Sequence, residues 1–138
     1  MPLLLLYKER YVLKVTIEKV LQIVDETKDA ADFSKSVKVY WLSEAEALVI
    51  DRVISKYEGY DEKDYNCAYD ENTPTDTELV APMPYARLYE YYLKAQIDYA
   101  RDEIELYHNN LAQFESALSD FWRYYNRNHR RKNVKIRV

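Results

Sequence analysis

Four carboxylates, Asp61, Asp64, Asp70 and Glu71, stand close together in the middle of the chain. Oxygen donors at that density could hold a divalent cation. An EF-hand loop, however, needs a fixed ligand order and a glycine at its sixth position. Neither is present, so a solvated acidic loop is expected. A second group, Asp98, Asp102, Glu105 and His108, recurs at helical spacing. Paired carboxylates beside a histidine can move protons, but the same spacing is that of a charged outer helix face, which is the expectation here. Cys67 is the sole cysteine. A thiol becomes a nucleophile when a histidine or a cation lowers its pKa, and no nucleophile motif surrounds this one. One cysteine excludes an internal disulfide and a Cys-rich zinc site. The two histidines, His108 and His129, do not form a zinc-protease motif. No catalytic residue, metal or cofactor is therefore expected.

Aromatic and basic residues carry more information. Of fifteen tyrosines, Tyr85, Tyr89, Tyr92 and Tyr99 follow helical spacing, and Tyr91 and Tyr107 widen the stripe. Tyrosine keeps a hydroxyl that needs a partner or water, so such a stripe fits a subunit interface as well as a core. The net charge is −4, but the seven charged residues after Asp120 are all basic, and residues 1–120 therefore carry −11. Arg123, Arg127, Arg130, Arg131 and Lys132 lie in this basic end, beside Trp122, Tyr124 and Tyr125. Three readings are open: phosphate neutralisation with base stacking, docking onto an acidic protein, or a basic helix terminus that complements the dipole.

The elements that must position these residues are helical. Gly59 is the only glycine. That excludes Gly-rich phosphate loops, dinucleotide fingerprints and repeated tight hairpins, and it argues against β-sandwich and doubly wound folds. An all-α bundle of one domain is expected. Residues 1–15 read as an apolar and basic arm, either a short strand or an extension laid on a partner. Thr16 suits an N-cap, with a short helix over 17–25. A second helix is expected over 36–56, with Trp41 and Leu42 on its apolar face and Gly59 as its stop. Residues 58–83 form a long acidic loop, expected to order against neighbouring molecules. Pro84 suits the first position of the next helix.

From there to Asn126 the apolar residues Leu93, Ile97, Ala100, Ile104, Tyr107, Leu111, Phe114, Leu118, Phe121 and Tyr125 alternate at spacings of four and three. This is a seam made for another helix. The segment is either one long helix or a hairpin, and two closely spaced or kinked segments sharing the seam are favoured. Asn110 with Gln113 offers a capping box for a break near Asn109. Residues 131–138 form a basic tail whose last residues alternate like a strand. No apolar run approaches the roughly 18 residues of a membrane span. Leu3 to Leu6 is too short for a signal peptide and is followed by Lys8, Glu9 and Arg10, so a cytoplasmic protein is expected.

The run Lys38-Val39-Tyr40-Trp41-Leu42-Ser43-Glu44-Ala45-Glu46, with Val24-Asp25-Glu26 and Phe33-Ser34 before it, resembles one half of a known family. Ala81-Pro82, Pro84-Tyr85, Leu88-Tyr89, Tyr92-Leu93, Ala95 to Tyr99, Glu103, Tyr107 to Asn110, Phe114, Phe121 and Tyr124 to His129 resemble the other half. Together they are similar to the head–tail connector (adaptor, or neck) proteins of siphovirus-like tailed bacteriophages. The resemblance spans about residues 16–130 and leaves out the 1–15 arm and residues 134–138. It implies a helical adaptor, made in the host cytoplasm and located in the virion neck, that forms a dodecameric ring below the portal protein. The ring would lengthen the channel for double-stranded DNA, without sequence-specific binding, and would dock the next neck or tail protein. Neither catalysis nor a membrane is implied. On this reading Trp41, Leu42, Tyr85, Leu88, Tyr89, Tyr92, Ile97, Leu111, Phe114, Leu118 and Phe121 serve helix packing or subunit interfaces. Arg123, Arg127, Arg130, Arg131 and Lys132 would meet partners. The alternative is a helical protein that binds nucleic acid through its basic tail.

Overall fold

The computed structural model describes residues 13–132, in which four α-helices carry the fold: α1 (Ile17–Lys28), α2 (Lys35–Arg52), α3 (Arg87–Ala100) and α4 (Ile104–Asn128). Among the described residues there are isolated β-bridges and no strand.

The Thr16 hydroxyl accepts the Lys19 amide at 3.2 Å and starts α1. Ile17, Val20, Leu21 and Val24 then face inward at helical spacing. The helix runs three residues past its expected end and stops at Asp29, which is left-handed (φ 53°). Ser34 caps α2 by accepting the Val37 amide at 3.2 Å. Helix α2 buries Val39, Leu42, Ala45, Val49 and Ile50, and among them two charged residues, Lys38 and Glu46. It ends at Arg52, with a short 3-10 turn at Ile54–Lys56, four residues sooner than the sequence pattern predicts. Gly59 therefore does not stop the helix. It sits in a later turn at φ 85°, where a residue without Cβ is favoured.

Pro84 also falls outside its expected place, because residues 84–86 form a turn and α3 starts at Arg87. The long C-terminal segment is a hairpin whose break lies at Arg101–Glu103, not at Asn109. The Asp102 amide donates to the Tyr99 carbonyl (3.1 Å) and the Glu103 amide to the Asp98 carbonyl (2.9 Å). Asp102 takes the left-handed conformation (φ 60°) between them. This is a Schellman stop with aspartate where glycine is usual, a substitution that a short polar side chain tolerates. Asn110 lies inside α4 and caps nothing there. Its amide nitrogen donates to Asp98 Oδ2 at 2.7 Å and ties the two arms together.

The hairpin spends most of the seam within one chain. Leu93 and Ile97 of α3 and Phe114, Leu118 and Phe121 of α4 are buried, and α3–α4 is the most extensively packed helix pair. The Tyr92 and Phe114 rings meet edge-on with centroids 5.1 Å apart. Helix α3 also packs on α1 and α2, so it lies at the centre of the bundle.

Residues 58–83 order against their own core rather than waiting for a neighbour. Leu79 and Ala81 are buried. Residues 13–16 run antiparallel to residues 78–83, with the Leu79 amide on the Val15 carbonyl and the Met83 amide on the Leu13 carbonyl, both at 2.8 Å. The described part of the N-terminal arm thus lies on its own chain. At the other end the tail doubles back: the Glu58 amide donates to Arg130 O (2.8 Å) and the Lys132 amide to Lys56 O (3.1 Å). The expected alternation at 133–138 lies outside the described residues, as does most of the 1–15 arm.

Phe114 closes the hairpin against α3, so Phe114→Ala should cost about 3–5 kcal/mol. Urea unfolding of the variant and the parent chain measures the difference.

Candidate functional site

Two buried carboxylates hold the elements together. Glu46 of α2 is fully buried. It occupies the position four residues after Leu42 and three before Val49, on the apolar stripe of its helix. Its Oε1 accepts the Tyr89 hydroxyl of α3 at 2.6 Å. Its Oε2 accepts the Tyr69 hydroxyl at 3.0 Å and the Val80 amide at 3.0 Å, both from the 58–83 connection. The Tyr89 hydroxyl in turn accepts the Ala81 amide at 2.9 Å. Desolvation raises the Glu46 pKa above its usual value, against the opposing pull of its hydrogen bonds from Tyr89, Val80 and Tyr69. Burial, and then the facing carboxylate, push the Tyr69 and Tyr89 hydroxyls well above the usual tyrosine range. Both oxygens are taken up by donors from two other elements, and the arrangement works as a clasp.

Asp98 of α3 is equally buried. The Lys28 ammonium, at the end of α1, lies against Oδ1. Charge holds that contact, since no donor meets Oδ1 at a hydrogen-bonding angle. Oδ2 accepts from Asn110. Asp98 therefore does not belong to the charged outer face expected from its spacing: the hairpin turn separates it from Glu105 and His108, which are exposed on α4. Arg101 completes the junction. It donates to Asp29 O at 2.9 Å and Asp32 Oδ1 at 2.7 Å, and its guanidinium carbon lies 5.3 Å from the Phe33 ring centroid.

The acidic cluster of the connection is exposed and turned on its own backbone. Asp61 accepts the Lys63 amide at 3.0 Å and Asp70 the Asn72 amide at 2.8 Å. Among the described residues no three potential metal ligands converge. Cys67 is half-buried, and its carbonyl accepts the Ser43 hydroxyl.

The residues assigned to packing or interfaces divide in two. Leu42, Leu88, Tyr89, Tyr92, Ile97, Phe114, Leu118 and Phe121 are buried within the single chain, whereas Trp41, Tyr85 and Leu111 are half-buried. Trp41 leans on Phe33 (5.5 Å between centroids), and Tyr85 on Tyr124 (5.0 Å). Tyr89 and Tyr92 are thus buried within one chain, the core placement that their spacing allowed beside an interface one. The five partner-binding candidates, Arg123, Arg127, Arg130, Arg131 and Lys132, are all exposed at the end of α4 and the tail. Arg123 meets Asp120 at 3.3 Å, Arg130 stands 4.0 Å from Glu58, and Lys132 lies over the Tyr60 ring at 5.2 Å. Tyr125 and His129 stack beside them, 3.6 Å between centroids.

A groove of about 650 Å³ opens between α1, from Lys19 to Thr27, and the first half of α3. Val20, Ile23 and Tyr91 form its floor, and Lys14, Lys19, Arg87 and Lys94 its rim. Sequence spacing does not reveal it, because its walls come from separate segments. Glu46 was open to detection as a carboxylate on an apolar stripe, but nothing local names its partners, 23 to 43 residues away.

No family model, curated protein or solved structure matches this chain. Among the described residues no helix is long and apolar enough to cross a membrane.

Glu46 should make stability depend on pH. Its folded pKa is raised above the unfolded value, so its contribution is fully present below the ordinary carboxylate range and is lost as pH rises through the folded pKa. Glu46→Gln cannot ionise and should remove that part of the pH dependence. It should also cost about 1–3 kcal/mol, since an amide nitrogen cannot accept from both Tyr69 and Val80. Urea unfolding of both chains from mildly acidic to mildly alkaline pH tests this.

Proposed function

We propose that this chain is a non-enzymatic structural protein of the neck of a tailed bacteriophage: a head–tail connector whose copies form a dodecameric ring below the portal. The ring lengthens the DNA channel and presents a docking surface to the next neck or tail protein. Double-stranded DNA passes without sequence-specific binding. The mechanism is geometric, with rigid helical units set side by side and their ends gripping the rings above and below.

The observation that carries this reading is how the side chains are used. The buried ionisable groups, Glu46, Asp98 and Lys38, clasp elements of the chain to one another. The outward features are surfaces suited to docking: the open groove, the basic end of α4 and an exposed hairpin tip. The likeness to connector proteins in the packing residues of 16–130 points the same way. Residues 1–120 carry −11, and an acidic wall repels the DNA phosphates and suits a conduit. The basic residues from Arg123 to Lys132 are the proposed contacts to the portal or to the next ring, where Arg is favoured at binding surfaces.

Purified protein incubated with virus heads that bear the cognate portal tests the reading by electron microscopy. A ring of added density at the portal vertex is the expected result. Portals that stay bare at saturating protein would overturn it.

A further inference from the structure

Two outward surfaces of opposite character lie along α3, one at the turn that ends it and one beside its first half. At its C-terminal end the hairpin reverses, and the apolar residues nearest the turn stay exposed, Tyr99 meeting only the Tyr107 ring at 5.2 Å between centroids. Tyr99 is 61% exposed, Ile104 44% and Leu106 43%. Asp102, Glu103 and Glu105 stand among them, exposed, and among the described residues their carboxylates form no ion pair. The one cation of the turn, Arg101, is engaged with Asp29, Asp32 and Phe33. The tip is an apolar knob with a negative rim.

The groove beside the first half of α3 has the complementary make-up. Its floor is apolar (Val20, Ile23, Tyr91), and its rim carries Lys14, Lys19, Arg87 and Lys94 against a single acid, Glu90. None of the four cations forms an ion pair among the described residues. From Arg87 to Tyr99 helix α3 is a rigid rod of about 18 Å at about 1.5 Å per residue, so the tip cannot fold back into its own groove.

We infer that the hairpin tip of one copy seats in the α1–α3 groove of a second copy. Ile104, Leu106 and Tyr99 meet the apolar floor, and the acids of the tip meet the basic rim. Opposite charge around an apolar centre gives orientation and suppresses wrong pairings. The two faces differ, so the contact is head-to-tail and repeats from copy to copy until it closes or extends. This deepens the connector reading by naming the faces between neighbouring subunits, and it rests on that reading for closure into a ring. A knob of three side chains buries less than the roughly 1,200 Å² of stable complexes. The pairwise contact is weak, and it is strengthened where a template gathers many copies.

Sedimentation of the full chain over a concentration series up to about 1 mM, the weak end of measurable affinity, tests the contact. Two variants keep it falsifiable: a tip variant, Ile104→Asp with Leu106→Asp, and a groove variant, Lys19→Glu with Lys94→Glu. All four positions lie outside the core, and circular dichroism checks that both variants fold. The parent should associate with rising concentration, less so at high salt. Each variant alone should associate at least about tenfold more weakly. An equimolar mixture retains one good tip and one good groove, and should form dimers and stop there. A parent that stays monomeric throughout, or variants that associate like it, would overturn the inference. The two proposals fail separately on portal-bearing heads. Rings built equally well by both variants remove this contact and leave the connector reading. Bare portals beside tip- and groove-dependent association in solution remove the connector reading and leave the contact.

Discussion

A carboxylate buried in an apolar helix face has to be satisfied, because leaving it without donors costs several kcal/mol. Glu46 is in that position, and its donors come from α3 and from the long connection. Much of the rest follows. The connection is held down because Tyr69 and Val80 cannot leave without stranding the carboxylate. Residues 78–83, fixed in this way, provide the edge along which residues 13–16 lie. That pairing sets the approach to α1, which forms one wall of the groove. A segment that composition alone would leave solvated is built into the core by one side chain at its centre and by Leu79 and Ala81 beneath it.

The second constraint is the turn at Arg101–Glu103. A seam with apolar residues every three or four positions suits a partner helix, and the turn supplies that partner from the same chain. Along α4 burial then sets in away from the turn, at Phe114, Leu118 and Phe121, and fails at Ile104 beside it. The hairpin therefore produces both a stable body and a left-over apolar tip. Asp98, Asn110 and Lys28 reinforce the turn from inside, and Arg101 ties it to the α1–α2 junction.

The helices were legible because their signals are local. Thr16 reads as a cap, and the stripes over 17–24 and 39–50 read as buried faces. The seam was legible too, as was the choice between a long helix and a hairpin. The break was misplaced because its usual marker is glycine, and this chain uses Asp102, while Asn110 carries a capping signal that tertiary contact with Asp98 overrides. Gly59 misled in the opposite sense, since it serves a turn beyond the helix it was expected to stop. Of the candidate surfaces, the basic end was visible as charge. The clasp, the groove and the exposed tip were not, because each depends on residues far apart in sequence or on where the turn falls. Tyr89 shows the ambiguity: its spacing fits an interface, and only the location of Glu46 makes it core.

Amide hydrogen exchange along residues 65–83 tests the central claim most directly, since protection requires the connection to be bonded into the fold. The Val80 and Ala81 amides, which donate to Glu46 and Tyr89, should exchange as slowly as those of Leu42 to Val49 in α2. Exchange of Val80 and Ala81 at the rate of an unstructured peptide, with α2 still protected, would contradict the account.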